Sequence, residues 1–152
     1  MGEKANHDIV KEEIILITVL RAGIPFYLGI EKVFPDSESG FLGMMRNEET
    51  LKAKIDYIAI PPLKGKTIIL ADTMIATGGS IIDAIKILEK FQPKRIIVVG
   101  VIVAVDGIDR ILSYDKRIKI FAGAVDPILN NKGYIIPGLG DAGDRSYGEK
   151  IN

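Results

Sequence analysis

Thr67–Ser80, reading TIILADTMIATGGS, is the stretch from which the rest of the chain can be placed. Its apolar, β-branched first half suits a strand buried on both faces, and Ile81, Ile82, Ala84, Ile85, Ile87 and Leu88 follow at helical spacing. The reading is strand, tight loop, helix. Ala76-Thr77-Gly78-Gly79-Ser80 opens the helix with little side-chain bulk, so its backbone N–H groups and the helix dipole converge on one point. That is a phosphate cradle. Asp72, at the carboxyl end of the strand, is expected as an exposed ligand that accepts hydrogen bonds from two neighbouring sugar hydroxyls. Cradle and carboxylate together fit a ribose 5-phosphate. The loop is neither a P-loop, for want of Gly-Lys-Ser/Thr, nor a dinucleotide fingerprint, for want of G-x-G-x-x-G.

The chain has 152 residues, 47% of them hydrophobic, enough for one substantial core, and a single domain over residues 1–152 is expected. Twenty basic side chains balance twenty acidic ones, so nothing suggests a surface for nucleic acid or anionic lipid. An anionic ligand must then be held by local groups. The longest apolar run, Ile96–Val105, is too short for a bilayer that needs ~20 residues, and it reads as a buried strand without alternation in mid-sheet. Cysteine is absent, which excludes disulfides and thiol chemistry; with no signal peptide visible, a cytoplasmic location is expected. The single histidine, His7, falls in the polar tail Met1–Lys11, so imidazole catalysis is not expected.

Ile14–Leu20 reads as the first strand. Arg21-Ala22-Gly23 breaks it before a short helix from Ile24 with Pro25 in its first turn, a second strand–loop–helix unit. A guanidinium at such a turn can meet two phosphate oxygens with its planar fork and cannot lose its charge. Phe41–Met45 reads as a short strand ending at Arg46, with Leu51–Ile60 returning as the second arm of a hairpin, and Lys64 and Lys66 as solvated. Asp106-Gly107 opens a short helix to Ser113, and Ile118–Ala122 is the last core strand. This alternation predicts an α/β fold, an open parallel sheet with helices on both faces whose ligands bind at the carboxyl ends of the strands. Gly133–Gly148, GYIIPGLGDAGDRSYG, is a shaped loop by composition.

Four motifs in this order resemble those of uracil phosphoribosyltransferases, within the type I phosphoribosyltransferase family. Met74–Ser80 matches M-x-A-T-G-G-S, with Thr73 where that group has proline; Leu20–Gly23 matches L-R-A-G; Arg46–Thr50 resembles R-[DN]-E-x-T; and Tyr134–Arg145 follows Y-I-[IV]-P-G-x-G-D-x-G-D-R. The resemblance implies a Rossmann-like sheet with a small hood near the carboxyl terminus, and transfer of ribose 5-phosphate from phosphoribosyl pyrophosphate to uracil. Catalysis would rest on Arg21, Arg46, Asp72 and Asp141. Phosphoribosyl pyrophosphate would be held by Arg21, Ala22, Gly23, Arg46, the run Asp72, Thr73, Met74, Ile75, Ala76, Thr77, Gly78, Gly79, Ser80, and Asp141.

The main chain at Ile135, Gly140 and Ala142, with Asp141, would take uracil, while Asp144 and Arg145 brace the loop. Mg²⁺ is the implied cofactor, with Asp141 as its one candidate side-chain ligand, and a homodimer or larger homo-oligomer is implied. Only twenty residues precede Arg21, fewer than the family carries there. That departure keeps a non-catalytic sensor of the same ligands as the alternative, alongside a phosphoribosyltransferase for another base.

Overall fold

The computed structural model describes residues 2, 4, 10–46 and 53–149. Strand β1 (Ile14–Leu20) leads through a turn at residues 21–23 into α1 (Ile24–Glu31), with Pro25 in the first turn as expected. Strands β2 (Glu38–Arg46) and β3 (Ala53–Ala59) form the hairpin, and β4 (Thr67–Ile75) runs into α2 (Gly79–Glu89). Then come β5 (Arg95–Ala104), α3 (Val105–Tyr114) and β6 (Lys119–Asp126). The carboxyl-terminal loop contains a two-stranded ribbon, β7 (Ile128–Leu129) with β8 (Ile135–Ile136), and a short helix α4 (Ala142–Tyr147). No helix among the described residues is long and apolar enough to cross a membrane.

Six strands make one sheet in the order β3-β2-β1-β4-β5-β6, parallel throughout except that β3 is antiparallel to β2. Because side chains alternate across a strand, β1 and β4 supply both faces. Ile15, Ile17, Ile68 and Leu70 pack with Ile81, Ile85, Leu88 and Ile111 of α2 and α3. Leu16 and Ile69 point the other way, onto Tyr27 of α1. The sheet therefore carries helices on both faces, and the order brings β1 beside β4, whose carboxyl ends bear the two small-residue loops.

Two expectations need correction. The apolar run in β5 does alternate: Ile96, Val98 and Val103 are buried, while Ile97, Val99 and Val101 are half-buried. The reason is coverage. Helix α1 packs on β1 and β4, so over β5 and β6 that face is an apolar groove of about 450 Å³, lined by Phe34, Ile97, Val99 and Phe121 among others. Likewise the last strand is not a core strand: it runs on to Asp126 as the sheet edge, with Phe121 61% exposed.

Opposite the loops, ion pairs pin the amino ends of the strands. Glu12 accepts from Lys94 Nζ at 2.6 Å, from Thr67 Oγ1 at 2.8 Å and from Arg95, which also donates to Thr67 Oγ1. Lys66, read from the sequence as solvated, pairs with Glu38 at 2.6 Å. The hydrogen bonds from Lys94 and Thr67, ahead of Arg95, hold the Glu12 carboxyl down from 4.5 to about 2. A lowered carboxyl stabilises the fold above its unfolded value and loses that contribution as pH falls through its folded value. Glu12→Gln should accordingly lower the melting temperature at pH 7, and the gap from wild type should close between pH 5 and pH 2. A gap that stayed constant in thermal melts across that range would contradict the assignment.

Candidate active site

The two loops at the carboxyl ends of β1 and β4 are fastened to each other. Thr73 Oγ1 donates to the Ala22 carbonyl at 2.6 Å, and one layer deeper Thr18 Oγ1, fully buried, donates to the Ala71 carbonyl at 3.0 Å. A side chain at Gly23 would overlap Thr18 Oγ1 and stand 2.7 Å from the Val19 carbonyl, so the turn closes this tightly only with glycine there. The Leu20–Arg21 peptide within the turn is cis.

The carboxyl-terminal loop folds over the same end. Arg21 Nη2 reaches Asp144 Oδ1 and the Gly148 carbonyl, both at 3.4 Å, and its guanidinium lies 6.0 Å from the Tyr147 ring centroid. These are long, half-exposed contacts, worth little individually, so they orient the fork and leave it available. Ala22 also lies against Gly143, where an added side chain would stand 3.7 Å from its Cβ. Asp141 caps α4, accepting from Asp144 N–H at 2.9 Å through Oδ1, while its second oxygen has no partner among the described residues. Asp144 thus braces the loop as expected. The Arg145 side chain is exposed and makes no hydrogen bond or ion pair among the described residues.

In the cradle, Gly78 sits at φ 72° and turns the chain into α2, whose first turn has no acidic residue to oppose an anion. Gly79 N–H reaches Thr77 Oγ1 at 3.4 Å. Ile75, grouped with the ligand-binding run, is a core side chain and only 1% exposed. Asp72 differs from its expected exposure as well. It is 9% exposed, and burial, only partly offset by hydrogen bonds from the Thr73 and Met74 N–H groups, pushes its carboxyl up from 3.8 to about 7.

Ile135 is buried in β8, Gly140 takes φ 80° beside open space, and Ala142 is buried at the start of α4. The Ile136–Pro137 peptide is cis. One anchor of this loop escaped the sequence reading: Asp126, at the end of β6, accepts from Gly138 N–H at 3.0 Å. An acid at a strand's carboxyl end is the same signal that singled out Asp72. Arg110 of α3 was also missed; its Nη1 lies 3.4 Å from the Thr77 carbonyl. Arg46 ends β2, and the rest of its motif, Asn47–Thr50, lies outside the described residues, as does His7.

Arg21, Asp72, the cradle and the carboxyl-terminal loop thus share one end of the sheet. The family model for uracil phosphoribosyltransferase matches residues 1–149. The chain belongs to the uracil phosphoribosyltransferase family. It is 44% identical to the uracil phosphoribosyltransferase of Aquifex aeolicus over 99% of its own length and 73% of that protein's. With that of Pyrococcus furiosus it shares 42% identity over 98% of this chain and 66% of the relative. A solved Aquifex aeolicus protein superimposes with TM-score 0.88 at 46% identity, covering 93% of this chain and 68% of that one. A hypoxanthine-guanine phosphoribosyltransferase of Bacillus anthracis, TM-score 0.58 at 17% identity over 78% of this chain and 68% of its own, shares the fold.

Burial of Asp72 has a consequence for both stability and ligand binding. A carboxyl raised in the folded state stabilises it fully below pH ~4 and loses that contribution as pH rises through about 7. Asp72→Asn should therefore melt above wild type at pH 8 by roughly 4–8 °C, equivalent to about 2 kcal/mol in a domain of this size, and show no gain at pH 4. The same variant should lose kcat/KM for phosphoribosyl pyrophosphate. Equal melting temperatures at pH 8 would contradict the burial cost.

Proposed function

We infer that the chain transfers the ribose 5-phosphate of phosphoribosyl pyrophosphate to uracil, giving uridine 5′-monophosphate and pyrophosphate. The observation that supports this reading is the Thr73–Ala22 hydrogen bond, which fastens the loop after β4 to the arginine turn after β1. The 5-phosphate would sit on the main chain of Ala76–Ser80, the ribose hydroxyls on Asp72, and the pyrophosphate on Arg21 with Ala22 and Gly23. Arg46 would join the pyrophosphate from the hairpin.

As the bond from C1 of ribose to pyrophosphate breaks, positive charge develops on the ring and negative charge on the leaving group. The guanidinium groups of Arg21 and Arg46 would stabilise the latter, while Asp72 fixes the ring hydroxyls. N1 of uracil forms the new bond, and its proton goes to solvent water or to the second oxygen of Asp141. Among the described residues no group of three acidic or histidine side chains could hold a metal ion. Asp141, whose second carboxylate oxygen has no partner among the described residues, would be the chain's contribution to holding Mg²⁺, an ion that takes few protein carboxylates. When bound it would neutralise charge on the leaving group.

Uracil presents acceptor, donor, acceptor along one edge, and the main chain at Ile135, Gly140 and Ala142 is proposed to present the complement. Fixed peptide groups suit that task because they cannot turn to greet a different base. Association of copies through the apolar groove over β5 and β6 is the natural route to a homo-oligomer.

Product analysis with Mg²⁺, phosphoribosyl pyrophosphate and each base in turn tests the reading. Uracil should give uridine 5′-monophosphate, and cytosine, whose edge mismatches at two of three positions, should be used ~10⁴–10⁵-fold less well. Comparable use of cytosine would overturn main-chain readout, comparable use of orotate would overturn the assignment to uracil, and no nucleotide from any base would overturn the transfer reaction itself.

A further inference from the structure

Arg110 lies outside every motif that singled out the site, yet it stands at the edge of the phosphate cradle. The placement follows from how α3 meets the loop. Gly107 lets the helix backbone press against the strand-to-helix turn: a side chain at Gly107 would collide with the Ala76 carbonyl, and one at Gly78 would come within 2.9 Å of the Gly107 carbonyl. Ile111, fully buried, fixes the rotation of the helix. Arg110, one turn on from Gly107, is thereby carried over residues 77–79.

Its Nη1 lies 3.4 Å from the Thr77 carbonyl and 3.6 Å from where a side chain on Gly79 would begin. The absence of any side chain at Gly79 leaves that space free. Arg110 makes no ion pair among the described residues, although Asp106 and Asp109 share its helix and Asp83 sits on α2. Asp83 pairs with Lys86 at 3.6 Å. The cradle itself contains no lysine or arginine, and a monophosphate ester carries close to two negative charges at neutral pH. A guanidinium held by one long contact to a neutral carbonyl can swing to that anion without breaking an ion pair.

We propose that Arg110 is a binding residue for the 5-phosphate of phosphoribosyl pyrophosphate and of the nucleotide product, supplying the charge that the main-chain cradle lacks. The proposal rests on the assignment of the cradle to that phosphate. It also differs from the role given to Arg21, which faces the pyrophosphate end. Arg110 therefore serves product as well as substrate, whereas Arg21 serves substrate alone.

Calorimetry with the whole chain separates these roles. Arg110→Gln should weaken uridine 5′-monophosphate binding about tenfold and raise KM for phosphoribosyl pyrophosphate by a similar factor, with Arg110→Lys intermediate and KM for uracil within twofold of wild type. Affinity for uridine, which has no phosphate, should not change. Nucleotide binding by Arg110→Gln as tight as wild type, or an equal loss for uridine, would overturn the role of Arg110 while leaving the transferase reading standing. Absence of nucleotide binding by the wild-type chain would overturn both.

Discussion

One hydrogen bond, from Thr73 Oγ1 to the Ala22 carbonyl at 2.6 Å, holds the organisation of this molecule together at its working end. It is possible only because β1 and β4 are parallel neighbours, so the loops that leave them emerge on the same side. The layers beneath repeat the tie: Thr18 donates to the Ala71 carbonyl, and Gly23 lets the turn settle onto Thr18. Two loops that are distant in sequence thus become one rigid frame. A backbone carbonyl held by a side-chain donor is also kept from rotating its peptide, so the orientation of the arginine turn is set before any ligand arrives.

With no net charge, the protein concentrates its electrostatics locally. The amino ends of the strands are stitched by the Glu12 cluster, and the carboxyl ends carry Arg21 and Arg110 in weak, partly solvated contacts. Asp72 is the counterpart of that arrangement, a carboxyl buried at the cost of its charge. A group held this way is destabilising at neutral pH unless a ligand offers it donors, and binding two sugar hydroxyls would relieve the cost. On the proposed reading, stability is given up where a ligand would restore it.

Much of this was legible in the sequence because periodicity and glycine placement mark strand–loop–helix units directly. Ile14–Leu20 fell where the apolar run placed it, Pro25 located the start of α1, and β4 began in the apolar run at Thr67 but continued past Asp72 to Ile75. The face of β5 left open by α1 was not legible, since which strands a short helix covers is decided by packing and not by the strand's own residues. The depth of Asp72 failed for a similar reason: position along a strand is local, but burial is set by neighbours on both sides. Helix α4 was hidden by Gly143 within it and by Gly140 and Gly148 on either side, although Asp141 three residues before Asp144 is a capping spacing. Arg110 left no local signal, because only the close approach of Gly107 to the loop brings it to the cradle.

The central claim is that one ligand spans the two fastened loops, phosphate on one and pyrophosphate on the other. A crystal structure of the protein with phosphoribosyl pyrophosphate tests it directly. The account predicts density for the 5-phosphate against the backbone of residues 76–80, the ribose hydroxyls at Asp72, and the pyrophosphate against Arg21-Ala22-Gly23. A pyrophosphate seated on residues 76–80, or a ligand bound away from the carboxyl ends of β1 and β4, would contradict it.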